Sequence, residues 1–463
     1  MGGPMTKIRP FRGLRYNPDK FCGDFSEAIT QPYDRIHEAE QAQYYGQSAY
    51  NLVRIIQGVK TAGDSTPLPG PPPRTQTSRG EGGDAENNVY TRARAYAELW
   101  QVEQVLIRDP EPALYVLEQR FTTPDGVEHV RRGLMAALEL TRFDEGVVLP
   151  HERTLEGPKV DRLALTMATQ TAWGHIFMLY PDAQATVNGL LQPFLDTHMP
   201  AILHESVIEP EVEQAFWVVN DPGVIDAVVA AMSSCEPLII ADGHHRYETA
   251  LNYRDAMREQ HPDAPADAAF NYAMVTFVSM DDPGLVVLPT HRLIHSYKGL
   301  TGPALLEKLG AAFTVDPMPN LASVRAAMAE ATPEQPRFGF YDGDYALLTL
   351  KSLAVMDALL PDRDPTFRTL DVAVLHELVL ERTMGLSKES VLRRENIDYL
   401  RDPIPGLQAV DRGEADFLFL LNSTRMDQIR ECTDADECMP QKSTDFYPKV
   451  VSGLVMLPLS GAL

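Results

Sequence analysis

Apolar positions along the chain recur at two spacings, and each predicts a different element. Short, nearly continuous apolar runs bounded by turn residues occur at 115–121 (YVLEQRF), 127–140, 174–180 (GHIFMLY), 215–219 (AFWVV), 238–241 (LIIA) and 271–279 (NYAMVTFVS), and each reads as a strand. NLVRIIQG at 51–58 reads the same way. Helical spacing predicts helices over 90–106, 159–172, 184–197, 209–214 and 222–232, and over a stretch that begins directly after Gly243. Asp125-Gly126 lies between two β-rich runs, which marks a hairpin.

Beyond about residue 300 the pattern changes. LLEKLGAAF, FTVDPMP, SVRAAMAEA and FGFYDGDYALLTLK alternate helix and strand, with Asp342-Gly343 as a second hairpin turn. A helical region at 369–385 and apolar runs at 415–422 and 453–459 follow. Residues 61–88 are rich in Pro, Gly, Ser, Thr and charge, so they bury little apolar surface and predict a disordered insertion within a domain. Hairpins interspersed with helices predict an α+β (mixed α/β) fold with a mixed sheet core. The expected organisation is a main domain over 1–300, a smaller α+β lobe over 301–430, and a segment, 431–463, returning to the core.

Composition narrows the function classes. With 41 basic and 65 acidic residues the formal net charge is −24, which argues against general nucleic-acid or anionic-membrane binding. There is no apolar stretch of membrane-spanning length and no apolar signal core near the N-terminus, so a cytoplasmic location is expected. Four scattered cysteines do not resemble a disulfide framework, and Cys432 with Cys438 is a poor zinc spacing lacking a second pair.

The chemistry-bearing residues concentrate where apolar runs end. Asp242-Gly243-His244-His245-Arg246 follows LIIA and opens a helix. A helix N-terminus offers unpaired backbone N–H groups and partial positive charge, and Arg246 adds a guanidinium fork, so phosphate binding is expected there. The bland alternative is a capped helix with polar surface histidines. Pro150-His151-Glu152-Arg153-Thr154, with Lys159, Asp161 and Arg162 downstream, follows a second run; Glu152 could deprotonate a hydroxyl, and the basic residues could meet phosphate. Leu155 stands where a zinc motif would need its second His. Thr290-His291-Arg292, Lys442-Ser443-Thr444 with Lys449, and Gln31-Pro32-Tyr33-Asp34 with Asn51 and Arg54 complete the candidates; the second also reads as a surface loop returning to a final strand, and Pro-Tyr-Asp reads equally well as a turn with a buried aromatic. No GxGxxG, G-x-S-x-G or protein-kinase signature is present.

PFRGLRYN (10–17), QPYD (31–34), NLVR (51–54), LPHERT (149–154), ADGHHRYETA (241–250), LPTHRLI (288–294), LDVAVLH (370–376) and MPQKSTDFYPK (439–449) together resemble the domain-of-unknown-function family 1015, over nearly the whole chain. Gln31 stands where family members often carry a second proline. The Asp-Gly-His-His-Arg turn is also similar to the phosphate-binding turn of the ParB/sulfiredoxin-like fold, on which free-serine kinases use a glutamate as base. That likeness implies that Asp242, His244, His245 and Arg246 bind nucleotide phosphates and Mg²⁺, Asp242 holding the metal. It makes Glu152 the candidate base.

These readings converge on a nucleotide-dependent phosphotransferase, using ATP or ADP and acting on a small hydroxyl metabolite such as free serine. Arg246 and the 243–246 backbone would hold phosphates, His245 would stabilise the transferring group and Glu152 would accept the hydroxyl proton. Gly243, His244, His151, Arg153, Thr154, Lys159, Arg162, His291, Arg292, Lys442 and Lys449 join the expected phosphate-binding set. The partners expected are a nucleotide and a small molecule, with a homo-oligomer left open. The rivals are a non-catalytic nucleotide-binding regulator and a metal-dependent hydrolase built on His151, His244, His245 and His291.

Overall fold

A computed structural model describes residues 5–61, 87–152 and 157–463, with the backbone alone at 157 and 158. Most of the predicted insertion, and Arg153 and Thr154 of the predicted site, lie outside the described residues. The chain divides into two units. Unit 1 takes residues 1–149, 154–286 and 448–463; unit 2 takes 150–153 and 287–447.

Unit 1 is organised by a nine-stranded mixed sheet. Its strands are β1 (Ile8–Arg9), β2 (Leu114–Thr122), β3 (Glu128–Glu139), β4 (Val148–Pro150), β5 (Ile176–Tyr180), β6 (Ala201–His204), β7 (Glu213–Val219), β8 (Leu238–Asp242) and β9 (Tyr272–Ser279). Their order is β4-β8-β5-β9-β3-β2-β7-β6, with β1 also on β3. The β5–β9 pair is parallel, whereas β8 on β5 and β9 on β3 are antiparallel. All of β9 is buried, as are positions 133–138 of β3, so these central strands read as continuous apolar runs rather than alternating ones. The β2–β3 hairpin turns through Gly126 at φ 85°, the left-handed conformation that Asp-Gly predicts.

Helices complete the core. Along the chain they are α1 (Glu38–Gln47), α2 (Val89–Val102), α3 (Gly157–Thr169), α4 (Thr186–Leu195), α5 (Pro222–Met232) and α6 (His244–Gln260). α5 starts where its sequence says it should: Asp221 accepts the Val224 N–H and Pro222 occupies the first turn. Val187 and Leu191 of α4, Ile225 and Val228 of α5, and Tyr247 of α6 pack with the sheet's Leu134, Leu138, Met178 and Ile240 in one buried cluster.

Two expectations are corrected. The apolar run at 51–58 is a single helical turn, Val53–Ile56, rather than a strand: the side-chain oxygen of Asn51 accepts the Val53 N–H and draws the chain into a turn. Residues 209–214 are not helical; Gln214 falls inside β7, aligned opposite Gln119, and tertiary pairing overrides the local helical spacing.

Unit 2 holds a six-stranded sheet of β10 (His291–Ile294), β11 (Phe313–Met318), β12 (Arg337–Tyr341), β13 (Tyr345–Leu350), β14 (Ile397–Leu400) and β15 (Phe417–Leu420), ordered β11-β13-β12-β15-β10-β14. The predicted Asp342-Gly343 hairpin joins β12 to β13, with Gly343 at φ 111°. Helices α7 (Gly302–Leu309) and α8 (Leu321–Met328) belong to this unit; Val324 and Met328 of α8 pack with Leu347, Leu418 and Leu420. The predicted helical region at 369–385 contains a π-helical segment, Val374–Thr383. A mixed sheet in unit 1 and an antiparallel one in unit 2, both with interspersed helices, make the fold mixed α/β, as the element pattern predicts.

Candidate functional site

The focal motif of unit 1 is a strand, a bulge, a glycine and a helix. β8 carries a β-bulge between Ile240 and Asp242 in its pairing with β5, a device that re-aims the chain where a strand ends. Gly243 then caps α6 at φ 97° and ψ 29°, with no side-chain cap on the helix. Only glycine fits. The backbone is left-handed, and a Cβ there would lie 3.0 Å from Nε of Arg246, whose guanidinium lies over the residue. The backbone N–H groups of His245 and Arg246 meet no acceptor among the described residues. Two donors at the positive end of a seventeen-residue helix are thus open toward an anion.

The side chains around the turn are more constrained than the sequence implies. Arg246 is predicted as a free phosphate fork, but Nη1 donates to the carbonyl of His175 and Nη2 to the Asp242 carboxylate. Burial opposes its charge, yet the carboxylates of Asp242 and Asp34 outweigh burial and hold its pKa above the usual arginine value. Asp242 also receives Nζ of Lys449 at 3.3 Å. A carboxylate already bridging two cations is a poor ligand for a divalent ion, which would compete with both. The expected Mg²⁺ at Asp242 does not fit this arrangement; the carboxylate instead fastens the turn to the C-terminal segment. Lys159 pairs with Glu248 of α6.

The two histidines differ in the chemistry the structure reveals. His245 has a buried Nδ1 without a hydrogen-bond partner among the described residues. Burial lowers its pKa; Glu248 and Asp34 act against this, and Lys159 and Arg246 with it. It is therefore a neutral imidazole at physiological pH, able to donate or accept. His244 follows the glycine directly at the start of the same helix. His175, which the sequence reading passed over, is fully buried and pushed down to about 3 by burial and by Arg246. Its role is backbone: its carbonyl anchors Arg246.

Beside the turn is a largely apolar cavity of about 90 Å³, lined among others by Tyr33, Arg162, Trp173, Arg246, Thr249 and Tyr253. The guanidinium of Arg162 stacks over the Tyr33 ring at 4.1 Å, binds Asp161, and donates to the Ile56 carbonyl at 2.7 Å. The Gln31-Pro32-Tyr33-Asp34 segment thus belongs to the same corner as the glycine turn. Asp34 acts electrostatically on both His245 and Arg246. Sequence reasoning quoted this segment but assigned Asp34 no role; its only signal was a carboxylate directly after Pro-Tyr.

Unit 2 gathers the other predicted residues. His151 is wholly buried, its Nε2 2.8 Å from the Thr444 hydroxyl. The Glu152 carboxylate accepts the backbone N–H groups of Lys442, Ser443 and Thr444 at 3.3, 3.0 and 3.1 Å, and the Thr444 hydroxyl at 3.2 Å. The Lys-Ser-Thr loop, through Lys442, is expected to meet phosphate. Its donors are instead occupied by the chain's own carboxylate, with Lys442 at φ 59° turning three amides toward it. Arg292 is buried and donates to His376 Nε2 at 3.3 Å, to the Thr290 carbonyl and to the Lys442 carbonyl at 3.0 Å. His291 accepts the Leu421 N–H at 3.2 Å, and burial pushes it down to about 3. Both read as ties within the unit rather than as open ligand groups. Among the described residues no three His, Cys, Asp or Glu side chains form a set able to hold a metal ion, and no helix is long and apolar enough to cross a membrane.

Known proteins place the chain in a family. No curated protein matches it. Among solved structures, a conserved hypothetical protein from Pyrococcus furiosus aligns over 68% of this chain and 90% of its own, at 12% identity and a TM-score of 0.32. A free serine kinase in complex with AMP aligns over 70% and 92%, at 12% identity and a TM-score of 0.34. SbnI from Staphylococcus aureus, truncated at its C-terminus, aligns over 70% and 87%, at 11% identity and a TM-score of 0.33. Likeness this distant says nothing about the role of any residue. The family match is of another order: residues 8–373 fit the model of a protein of unknown function, DUF1015, and the chain belongs to that family.

Proposed function

We propose that the Gly243 turn binds the phosphates of a nucleotide, ATP or ADP, and that the chain is a phosphotransferase acting on a small hydroxyl metabolite, with free serine as the reference case. One observation carries the reading. The left-handed glycine cap leaves the N–H groups of His245 and Arg246 open at the start of α6, beside a guanidinium and a neutral imidazole. Backbone donors at a helix N-terminus suit phosphate oxygens, and phosphoryl transfer needs positioned charge more than covalent help.

In this reading the 243–246 backbone and the remaining guanidinium donors of Arg246 hold phosphate. His245 donates to the transferring phosphoryl group, and Asp242 with Lys449 keeps the turn rigid. His244, Lys159 and Arg162 contribute positive or polar surroundings. Glu152 accepts the proton of the attacking hydroxyl as the oxygen–phosphorus bond forms and the nucleotide departs. Mg²⁺, where used, would be carried by the nucleotide's own phosphates. His151, His291, Arg292 and Lys442 are assigned to holding unit 2 together. Incubation of the purified protein with ATP or ADP, Mg²⁺ and a panel of hydroxyl metabolites, read by phosphorus NMR, tests the reading. Phosphorylated product that disappears with Glu152→Gln is the expected result; turnover undiminished in that variant removes Glu152 from the chemistry.

A second reading, a nucleotide-binding regulator without catalysis, is favoured by the four donors that already engage the Glu152 carboxylate. It predicts nucleotide binding that survives Glu152→Ala, with no transfer to any acceptor.

A further inference from the structure

Unit 2 contains a groove of about 390 Å³ that the glycine turn does not use. Its size lies within the range of small-molecule sites. Three cations line it, Lys308 at the end of α7, Lys351 after β13 and Arg382 in the π-helical segment, and no Asp or Glu does. In a chain with 65 acidic against 41 basic residues, this is a reversal of local charge. None of the three makes an ion pair among the described residues. Lys308 donates to the Thr383 carbonyl at 3.0 Å and Lys351 to the Gly310 carbonyl, which leaves each ammonium further donors. The Arg382 side chain is exposed and makes no hydrogen bond or ion pair among the described residues. The floor is apolar, with Leu309, Val355 and Leu378.

The backbone adds a second observation. Arg382 lies in a ten-residue π-helical segment, closed by the Thr383 hydroxyl donating to the Leu378 carbonyl five residues earlier at 2.7 Å. Such segments are rare and concentrate at functional sites. This one sets Leu378 in the floor and Arg382 on the rim of the same groove.

We propose that this groove is a binding site for a small organic molecule bearing a multiply charged oxyanion and an apolar body. The oxyanion meets Lys308, Lys351 and Arg382, and the body lies on Leu309, Val355 and Leu378. Phosphate and polycarboxylate share this chemistry. The alternative is that the lysines serve only as caps for helix C-terminal carbonyls.

Isothermal titration at low salt, with phenyl phosphate and phthalate as separate probes and benzoate as the monovalent control, tests the proposal. The expected result is binding of at least one probe, weakened about tenfold or more by Arg382→Glu and by added salt, and unchanged by Arg246→Ala. Arg382 has no partner to lose, so its variant should fold like the parent, as melting checks. Binding of phenyl phosphate alone identifies a phosphate ligand and of phthalate alone a carboxylate ligand; either supports the site. No binding of either probe overturns the proposal. So does binding that Arg382→Glu leaves intact, or that Arg246→Ala abolishes, which would locate the anion at the glycine turn.

Discussion

At Gly243 two constraints coincide: a left-handed backbone and a guanidinium packed over the Cα. Gly243→Ala is therefore expected to cost about 1–2 kcal/mol from backbone conformation alone, read as a shift in the urea midpoint. It should also displace Arg246 and weaken nucleotide binding. The buried histidines set the acid limit of stability. His175 and His291, both held at about 3, stay neutral in the folded protein, whereas unfolded histidine takes a proton near 6.5. Stability is therefore full above about pH 6.5 and is lost as pH falls toward 3, by up to about 1.4 kcal/mol per pH unit for each histidine. Urea midpoints followed from about pH 7 to about pH 4.5 should show this slope, and His175→Gln should flatten it if the variant folds. At this scale the sequence identified which residues carry chemistry but not which were already engaged. Glu152 reads as a free base, yet its donors come from positions 290 to 292 residues away.

The elements were legible where one local signal ruled. The β8–Gly243–α6 passage combines an apolar run, a glycine and helical periodicity within a few residues, and no distant partner is needed to predict it. The hairpins at Gly126 and Gly343 are legible for the same reason. Residues 51–58 misled because a short apolar run is compatible with strand and helix alike, and the Asn51 side chain decided between them. The bulge before Asp242 left no sequence signal, since it exists only in the pairing with β5. Two element-level outcomes follow. Leu138→Ala, near the end of β3 and fully buried, should destabilise by about 2–5 kcal/mol in chemical denaturation. Asn88→Ala should cost about 1 kcal/mol in the same assay, because the Asn88 side chain accepts the Tyr90 and Thr91 N–H groups at the start of α2.

Across the whole molecule, charge dominates. A formal charge of −24 implies self-repulsion that weakens as salt shortens the screening length from about 30 Å at 0.01 M to about 8 Å at physiological strength. The melting temperature should rise over that range, while anion binding at the Lys308–Arg382 groove falls. Opposite salt responses in one protein would separate the global field from the local reversal.

The amino-acid sequence alone determined the class of fold, the glycine turn with its helix, and the acidic character, because these depend on neighbours in the chain or on sums over it. The tertiary structure decided that Arg246 is shared with His175 and Asp242, that the 442–444 amides grip Glu152, and that three distant cations line one groove. Apart from the Asp242–Arg246 pair, four residues apart, those outcomes depend on which groups meet across tens to hundreds of residues, and spacing along the chain does not encode such meetings.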